Sequence, residues 1–227
     1  MLSKIDKAIL SLHSHLYLQN YIIIINISSL PIATTTLVIV NVIILAFGLI
    51  SGIQDEVIRR YGFIPDQLLL VSSLSPLPLS DALTRLFSSI FIHANIAHLA
   101  FNILALVYLG GYAERAVGIL RYILIYIIAG IAGALFFGAI STFMLGNSHT
   151  VLIGASGAIS GILGIAAAAG NTRAYYWLIL QIVFAVIGSF TAIQIAFTAH
   201  IGGFIAGVLL TKFLVMVEQN KRIKYLK

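Results

Sequence analysis

Residues 122–145 read YILIYIIAGIAGALFFGAISTFML and contain no Lys, Arg, Asp or Glu. The charge-free stretch continues to Thr172, so it has room for two membrane-spanning helices of about 20 residues each. Charges are rare in the whole chain: they make up 9% of its 227 residues, whereas soluble domains carry about 25%. Because so few charged side chains cannot cover a surface exposed to water, the sequence predicts an integral membrane protein.

Three further charge-free stretches cover residues 8–54, 86–113 and 174–211 and have room for one, one and two spans. We therefore predict an all-α membrane protein, a polytopic bundle of six transmembrane helices at residues 31–52, 95–112, 119–145, 156–170, 175–189 and 197–217. The predicted membrane domain (31–217) lies between an N-terminal cytoplasmic or interfacial segment (1–30) and a basic cytoplasmic tail (218–227). Within the first segment, the apolar piece 16–27 is either an interfacial helix or an extension of the first span.

The basic residues predict the orientation of the chain. Six spans put both termini on one side of the membrane, and that side holds ten of the thirteen basic residues: Lys4, Lys7, Arg115, Arg121, Arg173, Lys212, Lys221, Arg222, Lys224 and Lys227. The other side keeps Arg59, Arg60 and Arg85. Since positive charge is enriched in cytoplasmic loops, we predict cytoplasmic termini and a location in the cell (plasma) membrane. The basic residues form no long patch, so the net charge of +6 does not indicate a nucleic-acid partner.

The connection between the first two predicted spans, residues 53–89, is a long loop on the predicted outer side. It holds four of the seven acidic residues of the chain, Asp55, Glu56, Asp66 and Asp81, and many leucines. A loop of this length and apolarity is expected to lie at the outer membrane interface.

Gly154-Ala155-Ser156-Gly157 stands at the start of the fourth predicted helix. Small residues let membrane helices pack closely, so the tetrapeptide fits either a packing role or a catalytic serine. The expected depth of Ser156 in the membrane favours the catalytic role. A helix over residues 156–170 rises about 22 Å whereas the hydrocarbon core is about 30 Å thick, so Ser156 is expected below the outer surface. Backbone N–H groups at a helix N-terminus are also suited to stabilise an oxyanion.

His200, at the outer end of the sixth predicted helix, is the candidate base for Ser156. His200, Gly203 and Gly207 fall within about 60° on a helical wheel, and glycines on that face let another backbone approach closely. The fourth helix has a similar small-residue face, so Ser156 and His200 are expected to meet. A serine needs such a base to become a nucleophile. Gly202 lies about 100° from Gly203 and is expected to tolerate alanine better.

His98 and Asn102 form a third polar group, on the second predicted helix. They are four residues apart and therefore share a face. Both side chains can donate hydrogen bonds, as the stabilisation of an oxyanion requires.

Several other chemistries are excluded or disfavoured. The chain has no cysteine, which removes disulfides, thiolate metal sites and cysteine nucleophiles. The rings of His93 and His98 would point about 140° apart on a helix, and no glutamate follows His93 as in zinc metalloproteases. No Asp or Glu lies in the fourth or sixth predicted span, which favours a Ser–His dyad and argues against an intramembrane aspartyl protease. We expect no metal and no cofactor.

From Arg85 to Gly207 the sequence resembles the rhomboid family of intramembrane serine proteases. The likeness rests on His93, the His98…Asn102 pair, Leu109-Gly110-Gly111 followed by Glu114 and Gly118, the Gly154-Ala155-Ser156-Gly157 motif, and Ala199-His200 with Gly203. The resemblance implies six helices around a water-filled cavity, with Ser156 as nucleophile and His200 as base. It implies that His98, Asn102 and the Ser156 backbone N–H hold the oxyanion, and that Arg85 and Glu114 have structural roles. Thr84 and Ser160 depart from the family, where a tryptophan and a tyrosine are common.

The expected function is therefore intramembrane endopeptidase activity on transmembrane segments of membrane-protein substrates. Two alternatives stay open. The first is a catalytically silent rhomboid-like protein that binds membrane clients, although such a protein would normally lack Ser156 or His200. The second is a small-molecule transporter, which would predict inverted repeats that the sequence does not show. The sequence does not indicate the oligomeric state.

Overall fold

The computed structural model of the chain describes residues 30–69, 78–146, 149–172, 174–179, 182–183 and 197–225. Regular structure in these ranges is helical, as predicted; Phe63 and Leu152 form an isolated antiparallel bridge. The helices are α1 (Ile32–Ile50), α2 (Gln54–Tyr61), α3 (Asp66–Leu69), α4 (Leu79–Ser88) with the 3₁₀ turn Ser89–Phe91, α5 (Ile96–Val117), α6 (Ile119–Phe143), α7 (Ser156–Ala168) and α8 (Phe197–Tyr225). Residues 174–179 and 182–183 are also helical.

Four of the described helices are long and apolar enough to cross a membrane: α1, α5, α6 and the Phe197–Asn220 part of α8. They carry large apolar side chains on their outer faces, among them Ile43, Phe101 and Leu120, which are 60%, 75% and 81% exposed. Such surfaces suit contact with lipid. The predicted fifth span (175–189) is described only in part, and the predicted interfacial piece 16–27 lies outside the described residues.

Two helices run further than the sequence predicted. Helix α5 continues five residues past the expected end at Tyr112 and stops at Val117, because Gly118 takes a positive φ of 84° that ends the helix. Helix α8 continues past Val217 to Tyr225, since the residues that follow Val217 include no glycine or proline. Its Glu218 forms an ion pair with Arg121 of α6.

The described part of the connection between α1 and α5 is largely helical. Helices α2, α3 and α4 all lie within residues 53–89. A tight turn at Ser51 and Gly52, where Gly52 takes a positive φ of 68°, lets α2 begin soon after α1 ends. In its described residues, 53–69 and 78–89, the predicted long loop is therefore a folded segment packed beside the helix bundle.

The core of the bundle surrounds α7. Residues 157–167 of this 13-residue helix are all buried, and α7 packs against α5, α6 and α8. A cluster of large buried side chains from α6, among them Tyr122, Ile125 and Tyr126, fills the space beside Ile159 and Ile162 of α7. Helix α7 is thus shorter than the helices α5, α6 and α8 that enclose it.

Candidate active site

The side chains of Ser156 and His200 meet between the start of α7 and the first turn of α8. His200 Nε2 and Ser156 Oγ are 2.7 Å apart, within the range of about 2.6–3.2 Å that a nucleophile and its base require. His200 is buried and Ser156 is half-buried. The pair that the small-residue faces predicted is thus brought together. The other ring nitrogen, His200 Nδ1, has no hydrogen-bond partner in the described part of the chain.

Glycines bring α7 and α8 close enough for this pair to form. A β-carbon built on Gly203 would overlap the carbonyl oxygen of Gly157, and one on Gly207 would overlap that of Gly161. The two helices therefore touch backbone to backbone along one face, as predicted.

Gly203 is the more tightly packed of the two glycines, as expected, but Gly202 is closely packed as well. A β-carbon there would lie 2.6 Å from the β-carbon of Phe136 on α6. Helix α8 is therefore packed closely on two sides, against α7 through Gly203 and against α6 through Gly202. A helical wheel gives the direction of Gly202 but not the neighbour that it meets.

The turn before Ser156 is held by two long-range hydrogen bonds. Gly154 takes a φ of 119°, which favours glycine, and its N–H donates to the Ser89 carbonyl oxygen over 2.9 Å. The Ala155 N–H points to Nε2 of His93 at 3.5 Å. Neither Ser89 nor this use of His93 was identified from the sequence. Ser89 takes part through its backbone carbonyl oxygen, so its side chain offered no signal for this contact.

His93 lies between the 3₁₀ turn and α5, with its ring fully buried. Its carbonyl oxygen accepts a 2.6 Å hydrogen bond from Gln54 Nε2, a buried partner that sequence reasoning missed. Burial, and secondarily the nearby His98, lowers the pKa of His93 to about 4. The ring is therefore neutral near pH 7, so Nε2 can accept a hydrogen bond from a backbone N–H.

The rings of His93 and His98 do not point apart. They meet edge to face with centroids 5.1 Å apart. The helical-wheel argument failed because α5 begins only at Ile96, so His93 is not on the helix.

His98 stands beside the Ser156 turn. A β-carbon on Gly154 would lie 2.8 Å from His98 Nε2 and 3.9 Å from Ser156 Oγ, so the ring and the hydroxyl flank the same glycine. The Ala94 N–H points to His98 Nδ1 at 3.5 Å. With Nδ1 as acceptor, the proton of a neutral ring is assigned to Nε2, on the side of Ser156.

Asn102 is buried one turn further along α5. Its Nδ2 donates to the carbonyl oxygen of His98 over 2.9 Å, a bond within its own helix. A side-chain amide has two N–H donors, so one remains for another acceptor. The structure thus brings His98 against the Ser156 turn and puts Asn102 on the same helix below it.

The segment between α1 and α5 is fastened to the loop that precedes Ser156. Phe63 and Leu152 exchange two backbone hydrogen bonds of 3.0 and 2.8 Å. Next to them, Asp66 Oδ2 lies 2.7 Å from His149 Nδ1. No local sequence pattern marks these contacts, which join residues more than eighty positions apart.

Comparison with known proteins decides the family. The Rhomboid domain matches residues 80–217, more than half of the chain and the part that carries Ser156, His200, His98 and Asn102. The chain belongs to the rhomboid family. With its apolar helices, it is an integral, multi-pass membrane protein.

Three curated relatives illustrate the range of rhomboid similarity. Rhomboid protease AarA of Providencia stuartii is 33% identical over 163 residues, which cover 60% of this chain and 57% of that protein. Rhomboid protease GluP of Bacillus subtilis (strain 168) is 38% identical over 130 residues, 54% of this chain and 24% of that protein. RHOMBOID-like protein 1 of Arabidopsis thaliana is 34% identical over 139 residues, 56% of this chain and 33% of that protein. The match therefore spans less than two thirds of each relative.

Glu114, predicted to be structural, joins two helices of the rhomboid bundle. Its buried carboxylate accepts hydrogen bonds from the backbone N–H groups of Ala33 (3.0 Å) and Thr34 (2.7 Å) and from the Thr34 hydroxyl (2.9 Å). These donors belong to the first turn of α1, where a negative charge is favourable. The end of α5 thus caps the start of α1.

Arg85, the other predicted structural residue, has a different kind of partner. Its Nη1 donates to the Arg59 carbonyl oxygen over 2.8 Å, so this residue of α4 caps the last turn of α2. Through this bond it helps to fold the 53–89 segment.

The two departures from the rhomboid pattern have local partners. Ser160 Oγ donates to the carbonyl oxygen of Ser156 over 2.8 Å. Thr84 Oγ1 donates to the carbonyl oxygen of Ser80, also over 2.8 Å. Each bond stays within its own helix, α7 for Ser160 and α4 for Thr84. The two hydroxyl groups are therefore paired where many rhomboids have a tyrosine and a tryptophan.

Proposed function

We propose that this rhomboid is an intramembrane serine endopeptidase that cleaves transmembrane segments of membrane proteins with a Ser156–His200 dyad. The observation that carries the proposal is the 2.7 Å contact between His200 Nε2 and Ser156 Oγ. Two of the relatives are named rhomboid proteases, which supports the same reaction class.

In the proposed reaction, His200 Nε2 takes the proton of Ser156 as Oγ attacks the carbonyl carbon of the scissile peptide. The carbonyl oxygen becomes an oxyanion, which His98 Nε2–H, the free Asn102 N–H and the Ser156 backbone N–H would stabilise. The protonated His200 then gives its proton to the leaving amine, and the peptide remains as an ester on Ser156. Water, activated by His200, hydrolyses the ester and restores the serine.

We further propose six membrane spans, with a water-filled cavity that opens to the outer side and cytoplasmic termini in the plasma membrane. Support comes from the length of α7, whose 13 residues rise about 20 Å, so Ser156 at its start is recessed. The chain has no cysteine, so single-cysteine variants carry no background. In intact cells, a membrane-impermeant maleimide should label Asp81→Cys and spare Lys221→Cys, which lies beyond the last span, whereas the reverse pattern would invert the topology.

Substrates are proposed to be transmembrane segments that unwind near the catalytic serine. A helix in lipid has its carbonyl groups hydrogen-bonded, so the scissile carbonyl must be freed before attack. A recess of about 10 Å³ adjoins Ser156 and is lined by Gly154, Gly157 and Ala199, among others. It has room for roughly one water molecule, which supports small residues at the cleavage site.

The proposal is tested by labelling the purified protein with a fluorophosphonate, which reacts with activated serines. The unmodified protein should be labelled, and Ser156→Ala and His200→Ala should not. Ser160→Ala is the matched control, because Ser160 lies one turn along the same helix and should leave labelling intact. Absence of label on the unmodified protein would favour a silent client-binding protein or a transporter, and equal labelling of Ser156→Ala would contradict the assigned nucleophile.

A further inference from the structure

A large apolar groove lies beside α1. It has a volume of about 650 Å³ and is bounded by α1, α2 and the α4–3₁₀ segment. Its walls include Ile43 and Phe47 of α1, Val57 and Tyr61 of α2, and Phe87 and Phe91. Ile43 and Phe47 are about 60% exposed and belong to a helix that can span the membrane, so the groove faces the bilayer.

A positive charge stands at one edge of this groove. Val57 and Tyr61 line it from one face of α2, and Arg60 lies about 60° from Val57 on the same helix. The Arg60 guanidinium carbon is 5.8 Å from the centroid of the Tyr61 ring, which puts the charge over a wall of the groove. Arg59 is separated by about 160° on the helical wheel from both Val57 and Tyr61, so it lies on the opposite face of α2.

Arg60 is not needed to cap the C-terminal end of α2. The last carbonyl groups of α2 already have donors: Arg85 Nη1 bonds to the carbonyl oxygen of Arg59 and Ser88 Oγ to that of Tyr61. The acidic residues of α2, Asp55 and Glu56, lie in its first turn. In the described part of the chain, neither is within ion-pair distance of Arg60. The exposed guanidinium therefore keeps its donors for a ligand.

We propose that the groove binds one anionic phospholipid of the surrounding bilayer, with its acyl chains along the apolar walls and its phosphate on Arg60. The two chemistries are complementary: the groove offers hydrocarbon contact at bilayer depth, and a guanidinium offers paired donors for phosphate oxygens. Bound there, the lipid would brace the α2–α4 segment against α1. That segment carries Phe63 and Ser89, which bond to the loop before Ser156.

Native mass spectrometry of the full chain in detergent tests the proposal, with dioleoyl-phosphatidylglycerol or dioleoyl-phosphatidylcholine as the added lipid. The first phosphatidylglycerol should bind about tenfold more tightly than phosphatidylcholine, as one charge-assisted contact allows. Arg60→Gln should abolish most of this preference. Arg59→Gln is the matched control, because it removes the same charge from the opposite face and should keep the preference.

A second variant tests the groove without changing charge. Val57→Phe fills part of it and should weaken both lipids, while circular dichroism verifies that the helices remain. Equal affinity for the two lipids, equal loss in Arg59→Gln and Arg60→Gln, or full binding by Val57→Phe would each overturn the proposal. So would binding of inorganic phosphate alone that depends equally on Arg60. The readout is lipid binding, so it does not depend on proteolysis by Ser156.

Discussion

Gly203 of α8 lies directly against Gly157 of α7, so that a β-carbon on Gly203 would overlap the Gly157 carbonyl oxygen. This contact is one turn from His200 and one residue from Ser156. The separation of the two helices, and with it the 2.7 Å distance between the side chains of Ser156 and His200, is therefore set by the absence of a side chain at Gly203.

Gly203→Ala and Gly203→Val should both lose activity without removal of any reacting group. The added carbon meets backbone, which cannot rotate away, so the helices must separate. A displacement of about 1 Å can lower the rate about 10²-fold. Cleavage of a reconstituted transmembrane substrate and the thermal midpoint should both fall, and more for valine. Gly111→Ala is the control, since its β-carbon would make ordinary contacts at 3.4 Å; normal cleavage by Gly203→Val would refute the link between packing and dyad geometry.

Glu114→Gln should destabilise the protein with little direct effect on chemistry. The amide keeps one acceptor oxygen, but its NH₂ group would face N–H donors of α1 where the carboxylate now accepts three hydrogen bonds. Hydrogen bonds to a charged group contribute about 1.5–3 kcal/mol each, so a loss of at least about 2 kcal/mol is expected. Chemical denaturation in mild detergent measures it. Glu56→Gln, an exposed acid, should be neutral, and equal stability of the two variants would rule out the capping role.

The pairing of Ser156 with His200 was predictable because both signals are local. Charge-free runs mark the helices, and small residues at helical spacing mark the faces that can touch. Gly202 shows the limit of such reasoning, since its neighbour Phe136 belongs to another helix and no spacing within α8 reveals it. The ends of α5 and α8 were missed for a related reason. The distribution of charged residues along the sequence locates the membrane boundary, whereas a helix continues until a residue such as Gly118 ends it.

The backbone contacts that support the site could not be predicted from local pattern. Gln54 and Ser89 act through the carbonyl oxygen of His93 and the N–H of Gly154, which are 39 and 65 positions away. Backbone partners carry no side-chain signature, so only the folded arrangement of the 53–89 segment identifies them.

His98→Ala should lower kcat more than Asn102→Ala, and both should leave KM nearly unchanged. The oxyanion exists only in the transition state, and loss of one donor can cost about 10²–10³ in turnover. His98 Nε2 adjoins Gly154, whereas Asn102 already gives one N–H to its own helix. Steady-state kinetics on a reconstituted substrate measure the effect, with Ser160→Ala as control. Unchanged kcat in both variants would remove the two residues from the mechanism.

Acid should destabilise the fold partly through His93. Burial lowers the pKa of this ring to about 4, against 6.5 for an unperturbed histidine. Between these values the unfolded chain binds a proton that the folded chain does not. Stability should therefore fall as the pH drops from about 6.5 towards 4, by up to about 1.4 kcal/mol per pH unit. No contribution from His93 is expected above about pH 7.

The variant His93→Gln should flatten that pH dependence, because glutamine does not titrate and can still accept the Ala155 N–H. Its stability near pH 5 should approach that of the unmodified protein, even if it is less stable at pH 7. His149→Gln is the matched control: this side chain is 84% exposed, and the variant should keep the slope that His93 produces. Thermal midpoints between pH 4.5 and 7.5 measure both. A slope for His93→Gln as steep as that of the unmodified protein would show that the neutral, buried ring of His93 is not what acid disrupts.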